Sequence, residues 1–168
     1  MPSRPSAEEA FLAAVAPRVR EVLEWEGEAR VVAFSPANNQ LIAGALRRIR
    51  EEGTWPGSRF LEWGSGLGIV TCLAAMQGFD ARGVEIEADL VAIARRIATE
   101  HGIDARFEIG SYRVEGTEPI EADLVYAYPW PAEERFIFEE FERRAPEGCL
   151  LLTFHGGGDL RIRTQGPS

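Results

Sequence analysis

Glu62-Trp63-Gly64-Ser65-Gly66-Leu67-Gly68 decides how this chain folds. The stretch follows Arg59 to Trp63, a short apolar run that reads as a strand. It precedes Ile69 to Gln77, which reads as a helix closed by Gly78. Glycines between a strand and a helix let the backbone turn tightly and approach a ligand where a Cβ would clash. The helix behind them offers unpaired N–H groups.

Downstream, the pattern is repeated strand–helix alternation. Ala81 to Ile86 reads as strand two, Asp89 to His101 as a helix with Leu90, Ile93, Ile97 and Ala98 on one face, and Ala105 to Ile109 as strand three. Asp123 to Tyr128 is strand four. Pro131 opens a helix carrying Phe136, Ile137, Phe138 and Phe141, with Glu133, Glu134, Glu139 and Glu140 as its solvated face. Cys149 to Phe154 is strand five. Such units build an α/β, doubly wound, mostly parallel sheet, Rossmann-like in kind, and strands one, four and five are apolar enough to be buried on both sides.

Upstream, Ser6-Ala7-Glu8-Glu9 fits a capping box before a helix that buries Phe11, Leu12, Val15, Val19, Val22 and Leu23, with Pro17 kinking or splitting it. Ala29 to Phe34 reads as a short strand or extended segment. Ser35-Pro36 opens a second helix with Leu41, Ile42, Ala45, Leu46 and Ile49 as its stripe and Gly53 as its stop. The expected organisation is one domain over 1–168, with a helical N-terminal segment (1–55) and an α/β core (56–155).

Composition narrows the function. The chain has 168 residues and a net charge of −9, from 18 basic and 27 acidic side chains. Such a surface repels phosphate backbones, so no nucleic-acid partner is expected. Every basic residue is arginine, which removes Schiff-base chemistry and the phosphate-loop lysine. Cys72 and Cys149 sit in apolar runs and read as buried thiols. With His101 and His155 they make no zinc spacing, and no metal is expected. No apolar run is long enough to cross a bilayer and no signal peptide is visible, so a cytoplasmic protein is expected.

The open sheet places a ligand beyond the carboxyl ends of its strands, where strand order reverses, and strand one should flank that point. A dinucleotide loop needs G-x-G-x-x-G, and neither register supplies the third glycine: counting from Gly64 meets Ile69, and from Gly66 meets Thr71. The spacing present, acidic-x-G-x-G-x-G, resembles motif I of the class I S-adenosylmethionine (SAM)-dependent methyltransferases. That resemblance, covering about residues 36–154, implies SAM as cofactor. It implies that Glu62, Trp63, Gly64, Ser65, Gly66 and Gly68 surround its methionine end, and that Glu85 at the end of strand two accepts both ribose hydroxyls while Ile86 lies against the adenine. The family often has an aspartate after strand three. Here Gly110-Ser111-Tyr112 stands instead, and Ser111 keeps a hydrogen-bonding group.

The resemblance places the methyl acceptor at the end of strand four, where Tyr126-Ala127-Tyr128-Pro129-Trp130-Pro131 stands opposite the glycine loop. Tyr126 joins the cofactor-binding set, and Tyr128, Pro129 and Trp130 are the candidate catalytic residues. Their rings can stabilise a sulfonium or an ammonium, or simply wall the pocket. This corner is similar to the proline-aromatic motif of amine-modifying members, with Tyr128 in place of the usual Asp, Asn or Ser. The helical N-terminal segment and short C-terminus look like the small protein-lysine methyltransferases. An amine or protein side chain, or another acceptor altogether, fits this reading. Asn38, Asn39 and His155 are secondary candidates near the site. The alternatives are a SAM-binding scaffold without catalysis and an NAD-dependent oxidoreductase. The latter lacks a Tyr-x-x-x-Lys pair, there being no lysine. Leu160 to Thr164, after Gly156-Gly157-Gly158, should form a terminal hairpin; otherwise strand five needs a second chain, as in a homodimer.

Overall fold

The computed structural model describes residues 4–26, 36–53, 57–113, 115 and 118–167. Their elements follow in the order α1 (Ala7–Glu26), α2 (Pro36–Glu52), β1 (Arg59–Trp63), α3 (Ile69–Met76), β2 (Asp80–Glu85), α4 (Ala88–Glu100), β3 (Ala105–Ile109), β4 (Leu124–Ala127), α5 (Glu134–Arg144), β5 (Leu150–Phe154) and β6 (Leu160–Thr164). The expected segment 29–34 and Ser35 lie outside the described residues, as does the Leu23 side chain.

α1 begins as its sequence dictates. The Glu9 amide donates to Ser6 Oγ at 3.1 Å and the Ser6 amide donates back to Glu9 Oε2 at 2.7 Å, so two helix-end donors are satisfied. Pro17 does not split it; one helix runs through. In α2, Leu41 is exposed, contrary to the expected stripe, and Ala43 is buried instead. The buried face follows Ile42, Leu46 and Ile49, one residue away from the edge that Leu41 occupies.

The sheet order is β3-β2-β1-β4-β5-β6, parallel except for β6, which runs antiparallel to β5 from Leu150↔Thr164 to Phe154↔Leu160. The terminal hairpin therefore forms within the chain and covers β5, and no second chain is needed for that purpose. Strand order reverses between β1 and β4, the crevice where ligands bind in such sheets. Along β1 the side chains alternate. Phe60 packs with Ile42, Leu46, Val70, Leu124 and Leu152 on the face covered by α2 and α3, while Leu61 and Trp63 pack with Val125, Ile137, Phe141 and Leu151 on the face covered by α5. α1 and α4 complete the first face, with Phe11, Leu12, Val15 and Val19 against Val91, Ala94 and Ile97.

Several element boundaries differ from expectation, those of α3, α4 and β5 by a single residue at an end. β2 starts at Asp80 and ends at Glu85, leaving Ile86 beyond the strand and two-thirds exposed. β4 is shorter at both ends: Asp123 turns its carboxylate onto Arg59, whose amide donates at 2.9 Å and whose Nη2 donates at 2.8 Å, and Pro129 cannot donate to a ladder. α5 begins at Glu134, not Pro131, because the Glu133 amide bonds back to the Trp130 carbonyl at 2.8 Å in a turn. Glu140 is a further correction. It is buried, accepting from Arg143 Nη2 at 2.5 Å, with Arg144 Nη1 at 3.5 Å. A carboxylate withdrawn from water on this face needs those guanidinium partners.

Replacing Ser6 with Ala removes the first half of the capping box. The expected loss is about 1 kcal/mol of stability, read from the denaturant midpoint, with the slope of the transition unchanged.

Candidate functional site

The site is assembled where β1 and β2 end side by side. The Gly64 and Ser65 amides both donate to the Val84 carbonyl, at 2.9 and 3.0 Å, so the loop leaving β1 folds over β2. Gly64, Gly66 and Gly68 all take positive φ (71°, 52° and 71°), which side chains resist. Gly68 also has no room for a substituent: a Cβ there would lie 2.3 Å from Phe107 and 2.9 Å from Ala94. The Gly68 amide donates to the Ser65 carbonyl at 2.7 Å, and its own carbonyl accepts from Cys72, starting α3.

Glu85 holds this loop from below. Its Oε2 accepts the Gly66 amide at 2.8 Å and its Oε1 accepts the Glu87 amide at 3.0 Å. One carboxylate thus joins the glycine loop, the end of β2 and the start of α4. Each of its oxygens keeps acceptor capacity toward the cavity it lines.

That cavity has a volume of about 480 Å³. It is within the range of about 300–1,000 Å³ usual for small-molecule sites. Of the residues expected from sequence, Trp63, Gly64, Gly66, Glu85, Ile86, Gly110, Ser111, Tyr128 and Trp130 line it. The strand ends and loops that carry them converge as the topology requires.

Five expected residues do not reach it. Glu62 is buried beneath the loop, where Oε2 accepts from the Thr71 amide at 2.9 Å and the Thr71 hydroxyl at 2.5 Å. Ser65 is buried with its hydroxyl unpartnered. Gly68 is packed against Phe107 and Ala94. Tyr126 lies in the core with Phe60 and Leu152, and burial holds its phenol well above the usual value. Pro129 is buried between the two aromatic residues that do line the wall. These five lie behind the cavity: Glu62 and Tyr126 are covered within the sheet by the core, and Ser65, Gly68 and Pro129 are packed in the loops that follow the strands. Asn38, Asn39 and His155 also lie off the wall. Asn39 is buried, and His155 Nε2 sits 2.9 Å from Thr153 Oγ1 with Nδ1 3.7 Å from Glu134.

The wall has further members that the sequence reading missed: Val22, Leu67, Val84, Glu87, Leu90, Tyr112, Arg113, Glu133 and Ile137. Glu87 and Tyr112 were within reach of it, since each directly continues a strand end already assigned to the site. Val22 was read only as core; nothing in its helical spacing says that the last turns of α1 border the cavity. Tyr112 stacks on Trp63, with centroids 5.5 Å apart and planes 16° from parallel. Tyr128 meets Trp130 edge-on at 5.9 Å and leans on Phe154 at 5.7 Å.

Several solved structures that share this architecture hold an adenosyl compound. An RNA methyltransferase from Salinibacter ruber in complex with S-adenosyl-L-homocysteine superposes with a TM-score of 0.54 at 25% identity, over 66% of this chain and 73% of that one. A SAM-dependent methyltransferase from Thiobacillus denitrificans, also with S-adenosyl-L-homocysteine, gives 0.54 at 21% identity over 71% of this chain and 48% of that one. A mutant MtNAS in complex with S-adenosylmethionine gives 0.56 at 20% over 70% and 47%. The chain thus spans most of the first protein but about half the length of the other two. No protein-family model and no curated protein matches the sequence. The chain therefore shares the fold of these SAM-dependent enzymes, and its glycine loop and cavity stand at the strand ends where such a sheet takes its ligand.

Burial makes Glu62 sensitive to pH. Loss of solvent raises its carboxyl from the ordinary 4.5 to about 8, against the lowering effect of the Thr71 bonds and with a smaller push from the Glu85 charge. The folded protein therefore binds a proton that the unfolded chain releases between those two values. This contribution to stability is complete below pH 4.5 and is lost as pH rises through 8. Denaturant unfolding from pH 5 to pH 8 should show the decline, and Glu62→Gln should flatten it.

Proposed function

We propose that this chain transfers the methyl group of S-adenosylmethionine to an amine acceptor presented against Tyr128 and Trp130. The observation that carries the reading is the closed network of Gly66, Glu85 and Glu87 on the floor of the cavity. It supports the reading by holding the glycine loop and a cavity-lining carboxylate together at the strand ends.

The residues present fit the group. The glycine backbone provides a surface that a Cβ would fill, Glu85 provides acceptors for the ribose hydroxyls, and Ile86 and Leu90 provide apolar area for the base. S-adenosylmethionine supplies an activated methyl on a sulfonium, which leaves as a neutral thioether. What remains for the protein is to hold the acceptor in line, exclude water and favour positive charge. The Tyr128 and Trp130 rings favour such charge by about 0.5–2 kcal/mol. Carboxylates Glu85, Glu87 and Glu133 outnumber the single cation Arg113 on the wall, which also favours an amine over an anionic acceptor. The net charge of −9 supports a small molecule or a protein, rather than a nucleic acid, as the acceptor. No described helix is long and apolar enough to cross a membrane. A cytoplasmic setting belongs to the same proposal, supported by two cysteines that remain buried, unpaired thiols.

Calorimetry with S-adenosyl-L-homocysteine, S-adenosylmethionine and NAD tests the cofactor. Heat is expected with the first two and none with NAD, and Glu85→Ala should weaken binding by about tenfold or more. Heat with NAD alone would overturn the reading. Turnover is measured with labelled S-adenosylmethionine and cell extract as the source of acceptor. Tyr128→Phe should keep most of the rate, because the ring face does the work, and Tyr128→Ala should lose about tenfold. Equal losses in both variants would transfer the role to the hydroxyl.

A further inference from the structure

Two residues on the cavity wall are bonded to each other across its rim. Arg113 follows β3 and Glu133 precedes α5. Arg113 Nη2 donates to Glu133 Oε1 at 2.5 Å, and the guanidinium carbon stands 4.6 Å from the centre of the Phe136 ring. Both side chains line the cavity and yet are 51% and 29% exposed, so they stand between the cavity and bulk water.

The segment they close is fastened unequally. At its inner end Tyr112 stacks on Trp63, and its carbonyl accepts from Arg144 Nη1 at 3.3 Å. At its outer end the described attachments are the Arg113 ion pair and ring contact, a local bond from the Arg113 amide to Ser111 Oγ at 3.0 Å, and the tilted contact of Tyr112 with Phe136. Such exposed attachments are weak and screened by salt. Among the described residues no helix stands between β3 and β4; the segment leaves β3 on the bond from the Gly110 amide to the Glu85 carbonyl at 2.9 Å, and the described attachments of residues 111–113 beyond it are made through side chains.

We propose that the Arg113–Glu133 pair is a strap over the cavity mouth, which opens to admit and release the adenosyl cofactor and closes over it when bound. Residues 110–113 move away from α5 as the guanidinium leaves Glu133 and Phe136, while the Tyr112–Trp63 stack stays as the anchor. The inference rests on the methyltransferase reading but adds to it: the strap governs how fast the cofactor exchanges. Opening precedes both entry and exit, so weakening the strap accelerates both.

The test is stopped-flow binding of S-adenosyl-L-homocysteine, read by the fluorescence of Trp63 and Trp130, which line the cavity. Arg113→Ala should raise the association and dissociation rates together by about tenfold, leaving Kd within about threefold. Glu133→Gln should do the same from the other side of the bridge, and it carries the test if the first variant fails to fold. Arg113→Lys, which keeps the charge but loses planar stacking, should fall between. Added salt should accelerate exchange in the wild type and not in Arg113→Ala. Unchanged rates would overturn the strap alone. A rise in dissociation only would overturn it too, by making Arg113 a direct cofactor contact. No signal with the wild type at any concentration would instead overturn the cofactor reading on which the strap depends.

Discussion

The carboxylate of Glu85 is the constraint on which the cofactor end of the molecule depends. Buried in a floor of glycine and apolar side chains, it must be met by donors or lose heavily on leaving water. The donors are the amides of Gly66 and Glu87. Satisfying them sets the height of the glycine loop above β2 and the start of α4 at once. The twin bonds from Gly64 and Ser65 to the Val84 carbonyl then leave the loop little freedom. Behind it, Glu62 plays the complementary part, gripping Thr71 in the first turn of α3. Two carboxyl groups thus hold this corner, Glu85 at the middle of the glycine turn and Glu62 at the first turn of the helix that follows it.

Much of this was readable from residue order alone. The glycine spacing, the bounds of β1 and β3 and the terminal hairpin all follow from local rules, because turn chemistry and two-residue alternation are local properties. The site was less legible where side-chain direction decides. Glu62 and Glu85 look equivalent as acidic residues beside a glycine loop, and the register of β1 on β2 puts them on the same face of the sheet; Glu62 is covered by α3, whose Thr71 it grips, while Glu85 stands at the end of β2 where the cavity begins. Tyr126 and Tyr128 differ in the same way: two positions apart on one face, but Tyr126 is covered by the core and Tyr128 stands at the strand end, where cover stops. Glu140 was read as solvated for its charge, yet it lies three residues from Ile137 and one from Phe141 on the buried face of α5, where Arg143 and Arg144 meet its carboxylate.

The aromatic residues form two separate groups. Trp63 and Tyr112 make a flat stack in the wall, and Tyr128 and Trp130 make an angled pair beside Phe154. The first group is anchored in the face covered by α5, the second at the end of β4, so the two sides of the cavity are held by different parts of the fold.

The antiparallel β6 has a consequence for biosynthesis. β5 is among the most thoroughly apolar segments in the sheet, and it emerges from the ribosome after the rest of the sheet core. Its outer neighbour follows after only a glycine-rich reversal, so the nascent edge is covered by the next few residues made rather than by a distant segment or another molecule. Alternating Arg161, Ile162 and Arg163 then leave a charged border that discourages strangers from adding a strand.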